Sequence, residues 1–144
     1  MKIIVLVGIS GSGKSTFAST TVRHNPERYV TLSRDKVREL IYGYTESDVH
    51  EYYGRNDFNY MERQVSDTLD VLISFWLKKG KDVIVDNTHL KRKYIEEYDK
   101  FGVDVETIFF GVDLDVAIER DSKRVRRVGE DVIRRQFKQC GSLL

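Results

Sequence analysis

An apolar run, Ile3-Ile4-Val5-Leu6-Val7, passes directly into Gly8-Ile9-Ser10-Gly11-Ser12-Gly13-Lys14-Ser15-Thr16. The run reads as a strand buried on both faces, and Thr16-Phe17-Ala18 opens a helical pattern. The segment between them satisfies G-x-x-x-x-G-K-[ST] in full, and a strand before it with a helix after it is the context that gives this pattern meaning. A chain of phosphates is best held by backbone N–H groups pointing inward. Glycine lets the loop curl tightly enough to present them, and the following helix adds the positive end of its dipole. Gly8, Ser10, Gly11, Ser12, Gly13, Lys14, Ser15 and Thr16 are therefore the expected nucleotide-holding set. Lys14 reaches the β- and γ-phosphates, and the Ser15 hydroxyl completes a magnesium shell. The expected ligands are ATP, or another nucleoside triphosphate, and Mg2+.

Three further apolar runs read as strands: Tyr29–Leu32, Val83–Val85 and Val105–Val112, the last centred on Ile108-Phe109-Phe110. Between them lie helical periods. Met61, Val65, Leu69, Leu72 and Trp76 recur at spacings of three and four; Tyr94, Ile95, Tyr98 and Phe101 form a shorter pattern, and Val37, Leu40 and Ile41 a third. Alternation of strand and helix predicts an α/β three-layer sandwich, a mainly parallel four-stranded sheet with helices on both faces. The Met and aromatic stripes then belong to the core. The one proline, Pro26, falls in a turn before the second strand. Gly43–Asn59 is the least regular stretch, either a flap over the site or the start of the long helix.

At 144 residues the chain is expected to form one domain over its whole length. No apolar run approaches the ~20 residues of a membrane span, and the start is too short for a signal peptide. The single cysteine, Cys140, excludes an internal disulfide framework, so a reducing cytoplasm is the expected location. A net charge of +1 argues against global attraction to nucleic acid, but the charge is uneven. Between Ala117 and Gln139 eight Lys or Arg face four Asp or Glu, and Lys91-Arg92-Lys93 follows a strand end. Such patches hold phosphates, although charge alone favours solvated helix faces.

The loop motif does not distinguish transfer to water from transfer to an acceptor. The second strand runs into Ser33-Arg34-Asp35-Lys36-Val37-Arg38. Ligands of an open parallel sheet sit at the carboxyl ends of its strands, which brings Asp35 near the phosphate loop. Asp35 and Arg38, three apart, share a helix face; the carboxylate can take a proton from a hydroxyl while the guanidinium holds an acceptor phosphate. The plainer reading makes Ser33 the helix cap and Asp35 a first-turn acid favoured by the dipole. Asp86, in Asp86-Asn87-Thr88-His89, either orients magnesium or caps the next helix. His89 has no partner at metal-ligand spacing and reads as structural. Arg120-Asp121-Ser122-Lys123-Arg124-Val125-Arg126-Arg127 reads as an arginine-bearing lid or as an exposed, salt-bridged helix. Asp113-Leu114-Asp115 reads as a helix start.

Together these segments resemble the kinase domain of the phage 5′-hydroxyl polynucleotide kinases of T-even type, over nearly the whole chain. The resemblance rests on Gly8–Thr16, Ser33–Arg38, Asp86-Asn87-Thr88-His89-Leu90, Arg120–Arg124 and Asp131-Val132-Ile133-Arg134. It implies the P-loop NTPase fold with strand order 2-3-1-4, and transfer of the ATP γ-phosphate to the 5′-hydroxyl of DNA or RNA in end repair. It makes Asp35 the general base and Arg38 the grip on the acceptor's 3′-phosphate. Arg120 and Arg124 become the lid arginines, with Arg124 against the transferred phosphate. Lys14 and Ser15 hold phosphates and magnesium, with Asp86 or a neighbour as the second metal-side residue. The family often carries Asn where this chain has His89, and the phosphatase domain of its bifunctional members is not expected here. A homo-oligomer is left open. The alternatives are a small-molecule kinase, acting on a nucleoside monophosphate, sugar acid or antibiotic, and a nucleotide switch without an acceptor.

Overall fold

The computed structural model describes residues 1–43, 52–124 and 127–143. Four strands, β1 (Lys2–Val7), β2 (Tyr29–Leu32), β3 (Asp82–Asp86) and β4 (Asp104–Phe109), form one sheet in the order β2-β3-β1-β4. Every pairing is parallel, with Leu6 beside Asp86 and Leu32 beside Val85 in register. The expected order and direction of the strands are those observed.

Successive side chains of a strand point to opposite faces, so an uninterrupted apolar strand must be covered twice. Ile3, Val5 and Val7 of β1 pack with Val83 and Val85 against Val65, Leu69, Ile73 and Leu77 of the long helix α3 (Phe58–Lys78). On the other face Ile4, Leu6 and Ile84 meet Ala18 of α1 (Lys14–His24). Helix α2 (Arg34–Tyr42) and α4 (Arg92–Glu96), which tightens into a 3-10 turn at Glu97–Phe101, complete the first face. Helices α5 (Leu114–Ser122) and α6 (Glu130–Leu143) close over the phosphate loop through a third cluster of Ile9, Leu90, Ala117 and Ile133.

Two local expectations are corrected, and part of a third lies outside the described residues. The fourth strand ends at Phe109 instead of Val112, because β4 is an edge strand; its burial alternates and Phe109 is half exposed. Phe110 leaves the ladder after its N–H reaches the Val7 carbonyl, and its ring packs edge-on against Phe17. Of Val37, Leu40 and Ile41 only Val37 is buried; Leu40 is 71% exposed, since α2 turns Val37 and Tyr42 toward the core and Leu40 away from it. The part of Gly43–Asn59 read as a flap that spans 44–51, Tyr44 included, lies outside the described residues.

Candidate active site

The phosphate loop takes its shape from two left-handed glycines, Gly11 at φ 82° and Gly13 at φ 98°, a conformation that L side chains avoid. Gly11 also has no room for a side chain, since a Cβ would stand 2.8 Å from the Ala117 carbonyl oxygen of α5. Gly13 caps α1 without a side-chain hydrogen bond, so the first-turn N–H groups carry the partial positive charge of the helix end. Lys14 is buried, and its ammonium donates to the Ile9 carbonyl at 2.9 Å and to Ser12 Oγ at 3.5 Å. Burial pushes its pKa down to about 8; the Asp86 charge opposes that shift and the Arg124 charge adds to it. Ser12 and Gly8 sit within the loop's wall, Thr16 is exposed, and the Ser10 N–H is taken by Gln136 Oε1 of α6 at 2.9 Å.

Because β3 lies beside β1, its last residue stands next to the loop. The Ser15 hydroxyl donates to Asp86 Oδ2 at 2.7 Å, and the Gly8 N–H reaches the Thr88 carbonyl at 3.1 Å. The plainer alternative, Asp86 as a helix cap, is not what its side chain does. A hydroxyl and a carboxylate brought together by two strand ends form a hard-oxygen pair suited to magnesium, which keeps several waters and takes further oxygens from phosphates. Among the described residues no cluster of three His, Cys, Asp or Glu could hold a metal alone. The pair fits a phosphate-borne ion.

The cap reading of Ser33 is observed: Ser33 Oγ accepts from the Lys36 N–H at 3.1 Å. Asp35, in the first turn of α2, has a half-exposed carboxylate that accepts from Arg38 Nη1 at 2.7 Å. Arg38 itself is buried. Its Nε and Nη2 grip both oxygens of Glu62 on α3 at 2.9 and 2.6 Å, with the rings of Tyr52 and Tyr53 nearby. Glu62 also accepts from the Tyr52 hydroxyl at 2.7 Å and from Arg34 Nη2 at 3.3 Å. Burial would raise the Glu62 pKa, but hydrogen bonds from Arg38 and Tyr52 hold it down at about 2. Burial likewise works against the charge on Arg38, and Glu62 overrides it, keeping the guanidinium charged at any ordinary pH. Glu62 was not singled out in the sequence. Its signal was there: an acid one residue past Met61, on the edge of an otherwise apolar stripe.

At the other side of the loop, Arg120 Nη1 donates to the Gly11 carbonyl at 3.0 Å. Asp121, only 3% exposed, accepts from the N–H groups of Val128 and Gly129 at 2.8 and 2.9 Å, fixing where the chain returns after the basic run. Arg124 Nη1 lies 3.9 Å from the same carboxylate and is partly exposed. Residues 125 and 126 of the expected lid lie outside the described residues. His89 is buried, as the structural reading expects: Nδ1 meets the Leu6 carbonyl at 2.6 Å and Nε2 the Tyr98 hydroxyl at 2.7 Å. Of the second basic cluster, Lys91 and Lys93 flank the Tyr94 ring. Among the described residues no helix is long and apolar enough to cross a membrane.

The chain is similar to several known proteins. Over 146 residues the chain is 27% identical to a protein of Autographa californica nuclear polyhedrosis virus named as a bifunctional polynucleotide kinase/RNA ligase; the match takes in 95% of this chain and 20% of that protein. A chain of a solved Pnkp1/Rnl/Hen1 RNA repair complex superposes with a TM-score of 0.77 at 21% identity, covering 98% of this chain and 44% of that one. A gluconokinase from Sinorhizobium meliloti 1021 superposes at 0.58 and 18% identity, over 96% of this chain and 74% of that one. These structural likenesses establish the fold that the strand order already displays. The chain spans about a fifth of the viral relative and under half of the repair-complex chain. A family model described as an AAA domain matches residues 3–143, and the chain belongs to that family.

Proposed function

We propose that this chain transfers the γ-phosphoryl group of ATP to the 5′-hydroxyl end of a polynucleotide, DNA or RNA, in nucleic-acid end repair. The observation that carries the reading is the Asp35–Arg38–Glu62 array on α2 and α3, with α2 leaving the carboxyl end of β2 in the same parallel sheet whose β1 runs into the phosphate loop. A half-exposed carboxylate is aimed by an arginine that is itself clamped from behind. A nucleotide switch needs no such group. The likeness to a protein named as a polynucleotide kinase, over nearly all of this chain, supports a nucleic-acid acceptor over a small molecule.

In this reading the N–H groups of the loop and of α1 hold the β- and γ-phosphates, and Lys14 exchanges the Ile9 carbonyl for phosphate oxygens. Ser15 and Asp86 hold magnesium, which when bound neutralises charge on the phosphate oxygens. Asp35 receives the proton of the 5′-hydroxyl as its oxygen bonds to the γ-phosphorus. The bond from that phosphorus to the β–γ bridging oxygen breaks, and ADP departs. Arg38 orients Asp35 and accepts the acceptor's 3′-phosphate, a role that requires the phosphate to share or displace its contact with Asp35. Arg120 and Arg124 close on the triphosphate from the lid side.

The test supplies γ-labelled ATP with 5′-hydroxyl DNA and RNA oligonucleotides beside a panel of nucleoside monophosphates and sugar acids. Label on oligonucleotide 5′ ends supports the proposal. Label confined to a small acceptor, or released only as inorganic phosphate, overturns it.

A further inference from the structure

We infer that Asn87, Tyr98 and His89 form a positioning relay that ties the first turn of α2, and with it Asp35, to the root of the phosphate loop. The inference rests on the proposed role of Asp35 as base, but the contacts stand without it. The Arg34 N–H, one of the helix-end donors that the helix itself leaves unsatisfied, donates to Asn87 Oδ1 at 2.9 Å. Asn87 lines one cavity with Tyr98 and His89, and lies two residues before His89 on the same turn. Tyr98 in turn meets His89 Nε2 at 2.7 Å, and His89 Nδ1 meets the Leu6 carbonyl, two residues before Gly8, at 2.6 Å.

The series has one direction. A backbone carbonyl only accepts, so Nδ1 of His89 carries its proton and Nε2 presents a lone pair. The Tyr98 hydroxyl then donates to His89, and at the start of the same turn the Asn87 oxygen accepts from the Arg34 N–H. Each group finds a donor or acceptor of the right kind with a neutral imidazole in a single tautomer. Burial favours that state, since it pushes the His89 pKa below its ordinary value. Both rings are enclosed, His89 at 4% and Tyr98 at 7% exposure, where breaking one link strands the others away from water.

Backbone geometry adds an independent observation. His89 is the one described non-glycine residue with a left-handed φ, 52°. The preceding carbonyl, of Thr88, accepts the Gly8 N–H. The strained turn thus anchors to the loop's root by its backbone and by its ring, and strain of this kind persists where surrounding contacts over-determine it. The relay residues also wall a cavity of about 420 Å³ together with Arg34 and Glu62. Arg34 bonds Glu62, Glu62 grips Arg38, and Arg38 reaches Asp35.

Tyr98→Phe keeps the ring and removes the central link; His89→Asn tolerates the left-handed turn but cannot span it. Each is expected to lower kcat for 5′-hydroxyl phosphorylation about tenfold while the KM for ATP changes less than about twofold, since the Gly8–Thr88 backbone bond still holds the root of the phosphate loop. Hydrogen exchange at the Arg34 amide is expected to quicken in both. The double variant should be no slower than the slower single one, as for links of one series. Unchanged kcat and Arg34 exchange in folded Tyr98→Phe, or multiplied losses in the double variant, would overturn the relay. If wild-type protein labels no 5′-hydroxyl end, the functional proposal fails, and Arg34 exchange in the two variants still decides the relay.

Discussion

The Ser15 hydroxyl donates a hydrogen bond to Asp86 Oδ2 at 2.7 Å, joining the residue after the loop lysine to the last residue of β3. Both ends of that bond are oxygen donors fixed by secondary structure, one on the first turn of α1 and one on a strand beside β1. In the proposed function these two residues hold the magnesium side of the triphosphate. Asp86→Asn should leave the thermal midpoint within a few degrees and reduce phosphoryl transfer by about 100-fold or more at saturating magnesium, the scale of a lost charge-stabilising group. Steady-state kinetics over a magnesium titration measures this. Equal rates in variant and wild type would remove Asp86 from the site.

Lys14 sets a pH dependence. Its pKa in the nucleotide-free protein is about 8, below the ordinary 10.5. Phosphate oxygens favour the charged form, so binding raises that pKa again. Affinity for nucleotide is therefore full below about pH 8 and declines as pH rises through 8 toward the bound-state value, with proton uptake on binding in that window. Calorimetry in buffers of different ionisation enthalpy detects the proton. The same shift gives a stability prediction. A lysine whose folded pKa is lowered opposes folding below pH 8, and the penalty fades between 8 and 10.5. Lys14→Met should accordingly unfold later than wild type at pH 7, by up to about 3 kcal/mol, while losing activity.

Glu62 behaves oppositely. Its folded pKa of about 2 lies under the ordinary 4.5, so it stabilises the fold above pH 4.5 and that contribution is lost as pH falls from 4.5 toward 2. Glu62→Ala leaves the Arg38 guanidinium buried without its bidentate partner. A loss of about 3–5 kcal/mol is expected, as for other broken buried ion pairs. Denaturant titration at pH 7 measures it, and the deficit should shrink at pH 3. A variant as stable as wild type at pH 7 would contradict the clamp.

Asp121 accepts from two backbone N–H groups, of Val128 and Gly129, where the chain returns after the basic run that the proposed function uses as a lid. Asp121→Asn can satisfy one as acceptor but turns a donor toward the other. A loss of about 1–3 kcal/mol is expected, with a raised KM for ATP, since a loosened return frees Arg124 from its place near Lys14. Thermal melts together with ATP kinetics check both parts.

Much of this was legible in the chain. The sheet could be read because its two central strands carry unbroken apolar runs, Ile3–Val7 and Val83–Val85, and because Gly8–Thr16 marks a tight turn from strand into helix. The site was legible where a motif spans adjacent residues, as in the phosphate loop, and where strand ends name their neighbours, as at Asp86. Glu62 was not, because its meaning depends on α3 crossing α2, a contact 24 residues away in sequence from Arg38. His89 was read as structural, but its partners, Leu6 and Tyr98, are fixed by which strand lies beside which, not by spacing. The edge position of β4 explains the overlong fourth strand: an apolar run states that residues are buried without stating that a ladder does the burying.

The central claim is that Asp35 deprotonates an incoming 5′-hydroxyl while the loop holds the triphosphate. Single-turnover transfer from γ-labelled ATP to a 5′-hydroxyl oligonucleotide by Asp35→Asn, set beside the variant's ATP affinity, tests it. The account predicts an ATP affinity within about threefold of wild type and a transfer rate lower by about 100-fold or more. A variant that binds ATP normally and transfers phosphate at the wild-type rate would contradict it.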